Sequence, residues 1–480
     1  MVGSQAQKGL GIGCEFFGRY CLSPLAATAT LKVIEPATEK VLAEVPEAGI
    51  EEADRAVARA KAAYPAWRAM APKDRANLMR RLAAAVEREA EKLAVLEARN
   101  VGKPISDARG EVGMVVDVFN YYAGAPERLF GKTIPVAGGV DMTFREPLGV
   151  VALIVPWNFP IAIASWKLGP ALAAGNTIVL KPAGLTPLTA IELERIALEA
   201  GIPEGVLNVV VGAGRIVGER LVQHPDVAKV AFTGSTEVGK RIGQLAAASI
   251  KRVTLELGGK SANIVFADAD LEKAALAAPL AVFGNAGQDC CARSRILVER
   301  SAVDRFLHAL ESSVKALKVG DPLDEKTEMG PLISAGHREK VASYLEDGAK
   351  VAFRGSMPSG PGYWFPPTVL SPAANTDRAA REEIFGPVVA VIPFEDEGDA
   401  IRIANDTVYG LSGSIWTGNA GRAMRVARAL ETGTISINSN SSVRVTTPFG
   451  GFKQSGIGRE LGPDALDHYT ELKNVFLSTS

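Results

Sequence analysis

Two adjacent cysteines, Cys290 and Cys291, follow Gly287-Gln288-Asp289 in a chain that holds only four cysteines in 480 residues. A thiolate is a strong nucleophile when it is exposed and held near positive charge or N–H donors, so this pair points to covalent catalysis. Consecutive side chains usually point apart, which leaves one of the two to react. Free cysteines are often simply buried, and that reading stays open on the sequence alone. Glu256 lies in the apolar run Val253-Thr254-Leu255-Glu256-Leu257, ahead of Gly258-Gly259. A carboxylate among hydrophobes has a raised pKa, near what a general base requires, although an ordinary edge-strand glutamate fits the same pattern. Pro156-Trp157-Asn158-Phe159-Pro160 follows another apolar run. There the Asn158 amide either donates to an oxyanion or braces a turn.

A second group of residues suits a dinucleotide. Phe232-Thr233-Gly234-Ser235-Thr236-Glu237-Val238-Gly239 joins an apolar strand pattern to a helical one. A glycine turn at a helix N-terminus presents free N–H groups and the positive end of the helix dipole, which suits a pyrophosphate. It is not GxGxxG, and a plain strand-to-helix turn explains it equally well. Lys181 closes the strand pattern Thr177-Ile178-Val179-Leu180 and is placed to reach a ribose or a phosphate, or merely to be solvated.

The elements that must carry these residues alternate. Strand patterns occur at Val150–Val155, Thr177–Leu180, Leu207–Val211, Val227–Phe232 and Val253–Leu257, with helical patterns at Thr189–Ala200, Arg215–His224 and Glu237–Ser249. Repeated strand–helix–strand order predicts a doubly wound parallel sheet with helices on both faces, whose ligands bind beyond the carboxyl ends of the strands. A second alternating stretch follows Lys260, with strands near Ile264–Phe266, Ile296–Val298, Val388–Ile392 and Thr434–Asn438 and a helix at Ala302–Leu317. Two α/β units leave a cleft between them. Ahead of both, Ile50–Ala63 and Pro72–Asn100 read as packing helices, with a stop at Gly102 and Pro104. The first 30 residues or so have no period and read as a loose leader. The tail from Val475 to Ser480 reads as a strand that pairs with another chain or closes an edge of its own.

Composition removes several function classes. Lys plus Arg number 53 against 54 Asp plus Glu, a net charge of −1, so no basic excess exists to hold nucleic acid. Cysteines this sparse build no disulfide framework, which predicts a reducing, cytoplasmic setting. The four histidines are scattered and no HExxH or paired CxxC occurs, so no metal site is expected. No secretory signal is read at the N-terminus. The most apolar stretch, 150–166, is broken by Pro156, Asn158 and Pro160 and falls short of the roughly 20 residues a membrane span needs.

Taken together, these motifs resemble the aldehyde dehydrogenase superfamily. The resemblance runs from Val33-Ile34-Glu35-Pro36-Ala37-Thr38 to Pro448-Phe449-Gly450-Gly451-Phe452-Lys453-Gln454-Ser455-Gly456, and includes Glu256-Leu257-Gly258-Gly259-Lys260 and Glu383-Ile384-Phe385-Gly386-Pro387. The spacing of 34 residues from Glu256 to Cys290 agrees with the family pattern. The resemblance implies a Rossmann-like cofactor domain (1–124 and 148–258), a second α/β catalytic domain (259–454), and a bridging, oligomerisation element (125–147 and 455–480). It implies Cys290 as the nucleophile that forms a thiohemiacetal and then a thioester, Asn158 as an oxyanion donor, Glu256 as the activator of water, and Lys167 and Glu460 as proton-relay groups. It places Pro156, Trp157, Lys181, Gly214, Gly234, Ser235, Gly239, Glu383 and Phe385 around NAD. Phe159, Trp166, Asp289, Cys291, Val443 and Phe449 would line the substrate tunnel. A homodimer or homotetramer is the implied assembly, and a small-molecule aldehyde the implied substrate.

Two departures from the family pattern bear on specificity. Many NAD-preferring members carry a glutamate where this chain has Gly184; its loss removes repulsion against a 2′-phosphate and opens NADP use beside NAD. NAD stays favoured, because no added arginine adjoins the site. Val443 replaces a bulky aromatic of some relatives, which widens the tunnel mouth; Arg444 beside it and Asp289 are charges that either meet the substrate or serve the structure. Alternative functions are a coenzyme-A-acylating enzyme of the same fold, which Glu256 argues against, and a non-redox cysteine esterase, which would not need the dinucleotide residues. A binding protein that lost catalysis would have been free to lose Cys290 or Glu256.

Overall fold

The computed structural model describes residues 29–479 apart from 347 and 442. The glycine-bearing leader, with Cys14 and Cys21, lies outside the described residues. The five strand patterns of the middle third assemble into one sheet, in the spatial order Arg252–Glu256, Val227–Thr233, Val150–Ile154, Thr177–Lys181, Leu207–Val209, all parallel. The two-residue strand Gly456–Ile457 closes the Glu256 edge antiparallel. The chain enters at the centre with Val150–Ile154, winds outward to Leu207–Val209, then crosses to the other side with Val227–Thr233. That reversal makes a crevice at the carboxyl ends of Val150–Ile154 and Val227–Thr233, where doubly wound sheets bind ligands.

A second sheet runs Val351–Arg354, Thr368–Leu370, Val388–Phe394, Arg295–Glu299, Ala262–Val265, Ser412–Trp416, Thr434–Ile437 and is parallel except at its first pair. The strand patterns near 264, 296, 388 and 434 are all found in it. Its remaining three strands are short, and hydrophobic alternation did not mark them. A three-stranded antiparallel sheet stands apart: Thr470–Ser478 pairs with Gly139–Pro147, which pairs with Thr133–Val136. The C-terminal tail is therefore an edge strand within its own chain.

Three helical expectations need correction. The pattern over 72–100 is two helices, Pro72–Arg88 and Ala90–Val101, broken at Glu89. Gly102 ends the second in the left-handed conformation (φ 88°), as a glycine stop should, but Pro104 caps a further helix, Ile105–Ala123, rather than ending helical structure. The pattern over 215–224 is a π turn, Gly214–Gly218, followed by the short helix Glu219–Gln223. The apolar stretch 150–166 resolves into a strand, a five-residue loop and the helix Pro160–Ala174, all fifteen residues of which are buried. A helix buried all round shows no amphipathic period, so the sequence pattern could not announce it. Among the described residues, no helix is long and apolar enough to cross a membrane.

Candidate active site

The loop that carries the cysteines is forced into its path by backbone. Asn285, Ala286 and Gly287 take consecutive left-handed conformations (φ 50°, 55° and 70°), costly for the first two and held by specific bonds. The Asn285 side-chain amide donates to the Asn158 carbonyl (2.9 Å), and a Cβ on Gly287 would stand 2.3 Å from the Gly386 carbonyl oxygen. The loop delivers Cys290 half-buried to the wall of a cleft and Cys291 into the core. Asp289 Oδ1 accepts from the Cys291 backbone N–H (2.8 Å), so it braces this turn. The oxygen of Asp289 and the two sulfur atoms lie within 4.8 Å of one another. Contact with Cys291 and burial push the Cys290 thiol well above its usual range.

Asn158 faces the same loop. Its side-chain amide donates to the Gln288 carbonyl (2.9 Å), and its own carbonyl accepts from the Lys103 ammonium (2.8 Å). Lys103 is wholly buried, paired with Glu111 and set 4.3 Å over the Phe159 ring. Burial pushes Glu111 up to about 8. Lys103 and Glu111 were not read from sequence as part of the site; the only local sign was a lysine between Gly102 and Pro104.

Glu256 ends its strand 3 % exposed, and neither of its carboxylate oxygens has a hydrogen-bond partner. Burial, and then the nearby Glu460, hold its pKa well above the usual carboxylate range. Lys167, from the buried helix, pairs with Glu460 behind it. The two glycines after Glu256 are there for close approach. A Cβ on Gly258 would lie 2.5 Å from Glu383 Oε2, and one on Gly259 would lie 2.1 Å from the Cys290 carbonyl oxygen. Gly259 N–H donates to Glu383 Oε1 (2.9 Å), and burial lifts Glu383 to about 7.

From Cys290 the cleft, about 850 Å³, runs along the carboxyl ends of the first sheet. Pro156, Trp157, Lys181, Gly214, Gly234, Ser235, Glu383 and Phe385 all line it. Ser235 caps the twelve-residue helix Thr236–Ala247, accepting from Val238 N–H, so the helix N-terminus opens into the cleft. Gly239 does not line it. A Cβ there would stand 2.3 Å from Leu257 Cδ2, so this glycine lets helix and strand pack closely beneath the cleft. Lys181 is 4 % exposed, and burial pulls its ammonium down to about 8. Phe385 has φ 58°, and its carbonyl accepts from His337 Nε2 (2.7 Å); Trp157 meets both rings edge-on, at 5.2 Å and 5.5 Å. Sequence reading missed His337, which nothing local distinguishes. The expectation that no arginine adjoins the cofactor site is also overturned: Arg215 and Arg241 line the same cleft as Gly184, with Arg241 held by Glu219 (2.9 Å).

On its other side Cys290 joins an apolar cluster that holds Phe159, Trp166, Cys291, Val443 and Phe449. The Trp166 and Phe449 rings meet edge-on at 5.4 Å. Arg444 is exposed. One sulfur thus stands where the dinucleotide-sized cleft meets an apolar, aromatic-bearing cluster of the core.

The family model for the aldehyde dehydrogenase family matches residues 25–475. The chain belongs to the aldehyde dehydrogenase family. Among its relatives, an aldehyde dehydrogenase of Emericella nidulans is 44% identical over 93% of this chain and 91% of its own, and the betaine aldehyde dehydrogenase of Bacillus subtilis is 42% identical over 93% and 94%. The betaine aldehyde dehydrogenase of Staphylococcus aureus, solved in complex with NAD+, superposes with a TM-score of 0.92 at 40% identity, covering 94% of this chain and 92% of that one. This aldehyde dehydrogenase therefore has the fold and the reaction class that its motifs implied.

Proposed function

We propose that this chain oxidises a small-molecule aldehyde to a carboxylic acid with NAD in the cleft and Cys290 as nucleophile. The observation that carries the reading is Cys290 on the wall of a dinucleotide-sized cleft that Asn158 also lines, with the buried, unpartnered carboxylate of Glu256 two residues before Gly258 of the same wall. The cleft suits a dinucleotide: a helix N-terminus opens into it, Glu383 waits at its inner end, and Lys181 and Gly184 line it. When bound, the nicotinamide supplies a hydride acceptor.

The chain's own residues do the rest. Cys290 gives its proton to solvent in the open cleft as its sulfur adds to the aldehyde carbon, while Asn158 Nδ2 donates to the oxygen that takes up negative charge. The C–H hydrogen then leaves as hydride and the carbon stays on sulfur as a thioester. Glu256 takes a proton from water as the water oxygen adds to the thioester carbon. The C–S bond breaks, Cys290 departs with the electron pair, and the acid ionises. Trp157, Phe385 and His337 exclude water from the inner cleft, and Lys167 and Glu460 stand behind Glu256 to receive its proton.

NADP is a second cofactor in this reading. Gly184 lines the cleft together with Lys181 and Arg215, and no carboxylate stands at position 184 to repel a 2′-phosphate. Trp166, Phe449 and Phe159, with Val443, are the apolar side chains that this reading sets against the aldehyde. Asp289 is committed to the Cys291 turn, which favours the structural reading of its charge. We also place the protein in the reducing cytoplasm, in keeping with two free thiols in contact, and read it as a homodimer or homotetramer. The assembly reading draws on Phe144, Leu472, Phe476 and Leu477, large apolar side chains exposed on the three-stranded sheet. The test is reduced-cofactor formation from aliphatic, aromatic, amino- and carboxy-aldehydes with each dinucleotide. Turnover lost in Cys290→Ser and retained in Cys291→Ser supports the reading; turnover that survives Cys290→Ser overturns it.

A further inference from the structure

Beyond Lys167 and Glu460, the sheet that carries Glu256 holds a further buried cation that the proposed reaction does not use. Strands Val227–Thr233 and Arg252–Glu256 pair in register, Lys229 with Arg252, Ala231 with Thr254 and Thr233 with Glu256. Alternation along a strand puts Lys229, Thr254 and Glu256 on one face of the sheet. Lys229 is 1 % exposed and its ammonium donates to Thr254 Oγ1 (2.5 Å). It lies 4.9 Å from the centre of the Tyr469 ring. Among the described residues no carboxylate comes within ion-pairing distance of it.

The groups facing Lys229 from the packed elements are Lys167 on the buried helix, Glu460 and Tyr469 on the C-terminal segment, Arg252 on the neighbouring strand and, nearer solvent, His468. His468 is half-buried; its Nε2 accepts from Arg459 N–H (3.1 Å), one residue before Glu460. A buried ammonium without a carboxylate costs stability, and a methionine of similar length would fill the space without that cost. Burial pulls Lys229 down to about 7, where an amine both takes and gives a proton. Three oxygens on the way, both of Glu256 and Oε2 of Glu460, are buried and unpartnered.

We infer that Lys229 extends the proton path, so that the proton Glu256 takes from water travels by Glu460 and Lys167 to Lys229 and leaves at His468. The inference rests on the proposed role of Glu256. The step balances: one water proton arrives on Glu256 as the C–S bond breaks, and the same proton reaches solvent before the next turnover, with no oxidant or reductant involved. Lys229 and His468 touch neither substrate nor cofactor and act through Glu256.

Stopped-flow formation of reduced cofactor separates the hydride step, seen as a burst, from thioester hydrolysis, seen as the steady rate, in the wild type, Lys229→Met, Lys229→Arg and His468→Ala. The expected result is an unchanged burst in all four, with a steady rate about tenfold or more lower in Lys229→Met and His468→Ala. Added imidazole should restore His468→Ala, a response that a merely structural role for the ring would not give. Steady rates within twofold of wild type in both variants, burst and steady rate falling in parallel, or no effect of imidazole would each overturn the inference. If Lys229→Met does not fold, His468→Ala decides alone. Failure of the parent reading shows separately, as intact turnover in Glu256→Gln; with no proton collected there, this inference falls with it.

Discussion

Replacing Asn158 with alanine separates catalytic from structural work at the oxyanion position. The substitution removes the side-chain amide and keeps the backbone carbonyl, so the bonds from Lys103 and Asn285 to that carbonyl survive. The one hydrogen bond lost in the resting protein is Nδ2 to the Gln288 carbonyl, and Gln288 keeps a second donor in Asn285 (3.3 Å). No buried acceptor is orphaned, so the stability cost should stay near 1 kcal/mol, the worth of one intramolecular hydrogen bond. The catalytic cost is of another size. Nδ2 carries a second N–H, and an oriented donor at a developing oxyanion in a water-poor site is worth about 3–4 kcal/mol, a loss of roughly a hundred- to a thousandfold.

The assay pairs the rate of the reduced-cofactor burst with thermal unfolding of the same preparation. A burst slowed by that factor, with a melting temperature only slightly lowered, is the expected outcome. A burst rate within threefold of wild type would refute the assignment, because the amide would then be bracing the loop and nothing more. A collapse of stability would refute the structural half, since it would mean that the Gln288 bond, and not the two bonds to the backbone carbonyl, holds the loop in place.

Four other outcomes follow from the same geometry. Glu256→Gln should keep the burst and lose hydrolysis by about a hundredfold or more. In the wild type the steady rate should fall as pH drops through the raised pKa of Glu256, because only the ionised carboxylate accepts a proton; a rate flat down to the ordinary carboxylate range contradicts this. Lys181 carries its positive charge below about 8 and loses it above, so the KM for NADP should climb with alkaline pH while that for NAD barely moves; Lys181→Met should abolish the difference. Gly184→Glu has room, with only Leu31 Cδ2 at 3.4 Å from the added Cβ. Its carboxylate should cost NADP about 3 kcal/mol per unit charge at roughly 5 Å, more than a hundredfold in kcat/KM, and an unchanged cofactor ratio would remove Gly184 from the specificity argument.

What the sequence disclosed were residues whose chemistry is local to a strand end. Lys181, Ser235, Asn158 and Glu256 each sit at or just past the carboxyl end of a strand with a clear apolar pattern, so finding the strand found the residue. Cys290 was visible because cysteine is rare here. What stayed hidden depends on contact between distant segments. His337 is an ordinary helix residue until the Phe385 carbonyl meets it 48 positions away. Lys103 became part of the site only when the chain brought it to Asn158, 55 positions on. The helix Pro160–Ala174 is hidden for the opposite reason: it is so thoroughly enclosed that its two buried polar residues, Ser165 and Lys167, break no visible period. Gly239 was misplaced because a glycine at a phosphate turn and a glycine at a packing contact look alike in sequence.

Six of the buried ionisable groups share one region. Lys103, Glu97, Lys167, Lys229, Glu256 and Glu460 are all less than 5 % exposed; Lys167 lies on the enclosed helix, and Lys229 and Glu256 lie on the paired strands Val227–Thr233 and Arg252–Glu256. Removing an ion from water costs several kcal/mol, and pairing returns only part of it. A chain folding for stability alone would fill these places with apolar side chains, as it does in the second sheet's core. Among the described residues, three of the six take part in a salt bridge, Lys103 with Glu111 and Lys167 with Glu460. The others, Glu97, Lys229 and Glu256, stand without one. Substituting Lys229 by methionine should therefore raise the melting temperature or leave it unchanged even as hydrolysis slows, and that opposition of signs is what separates a residue kept for proton transfer from one kept for packing.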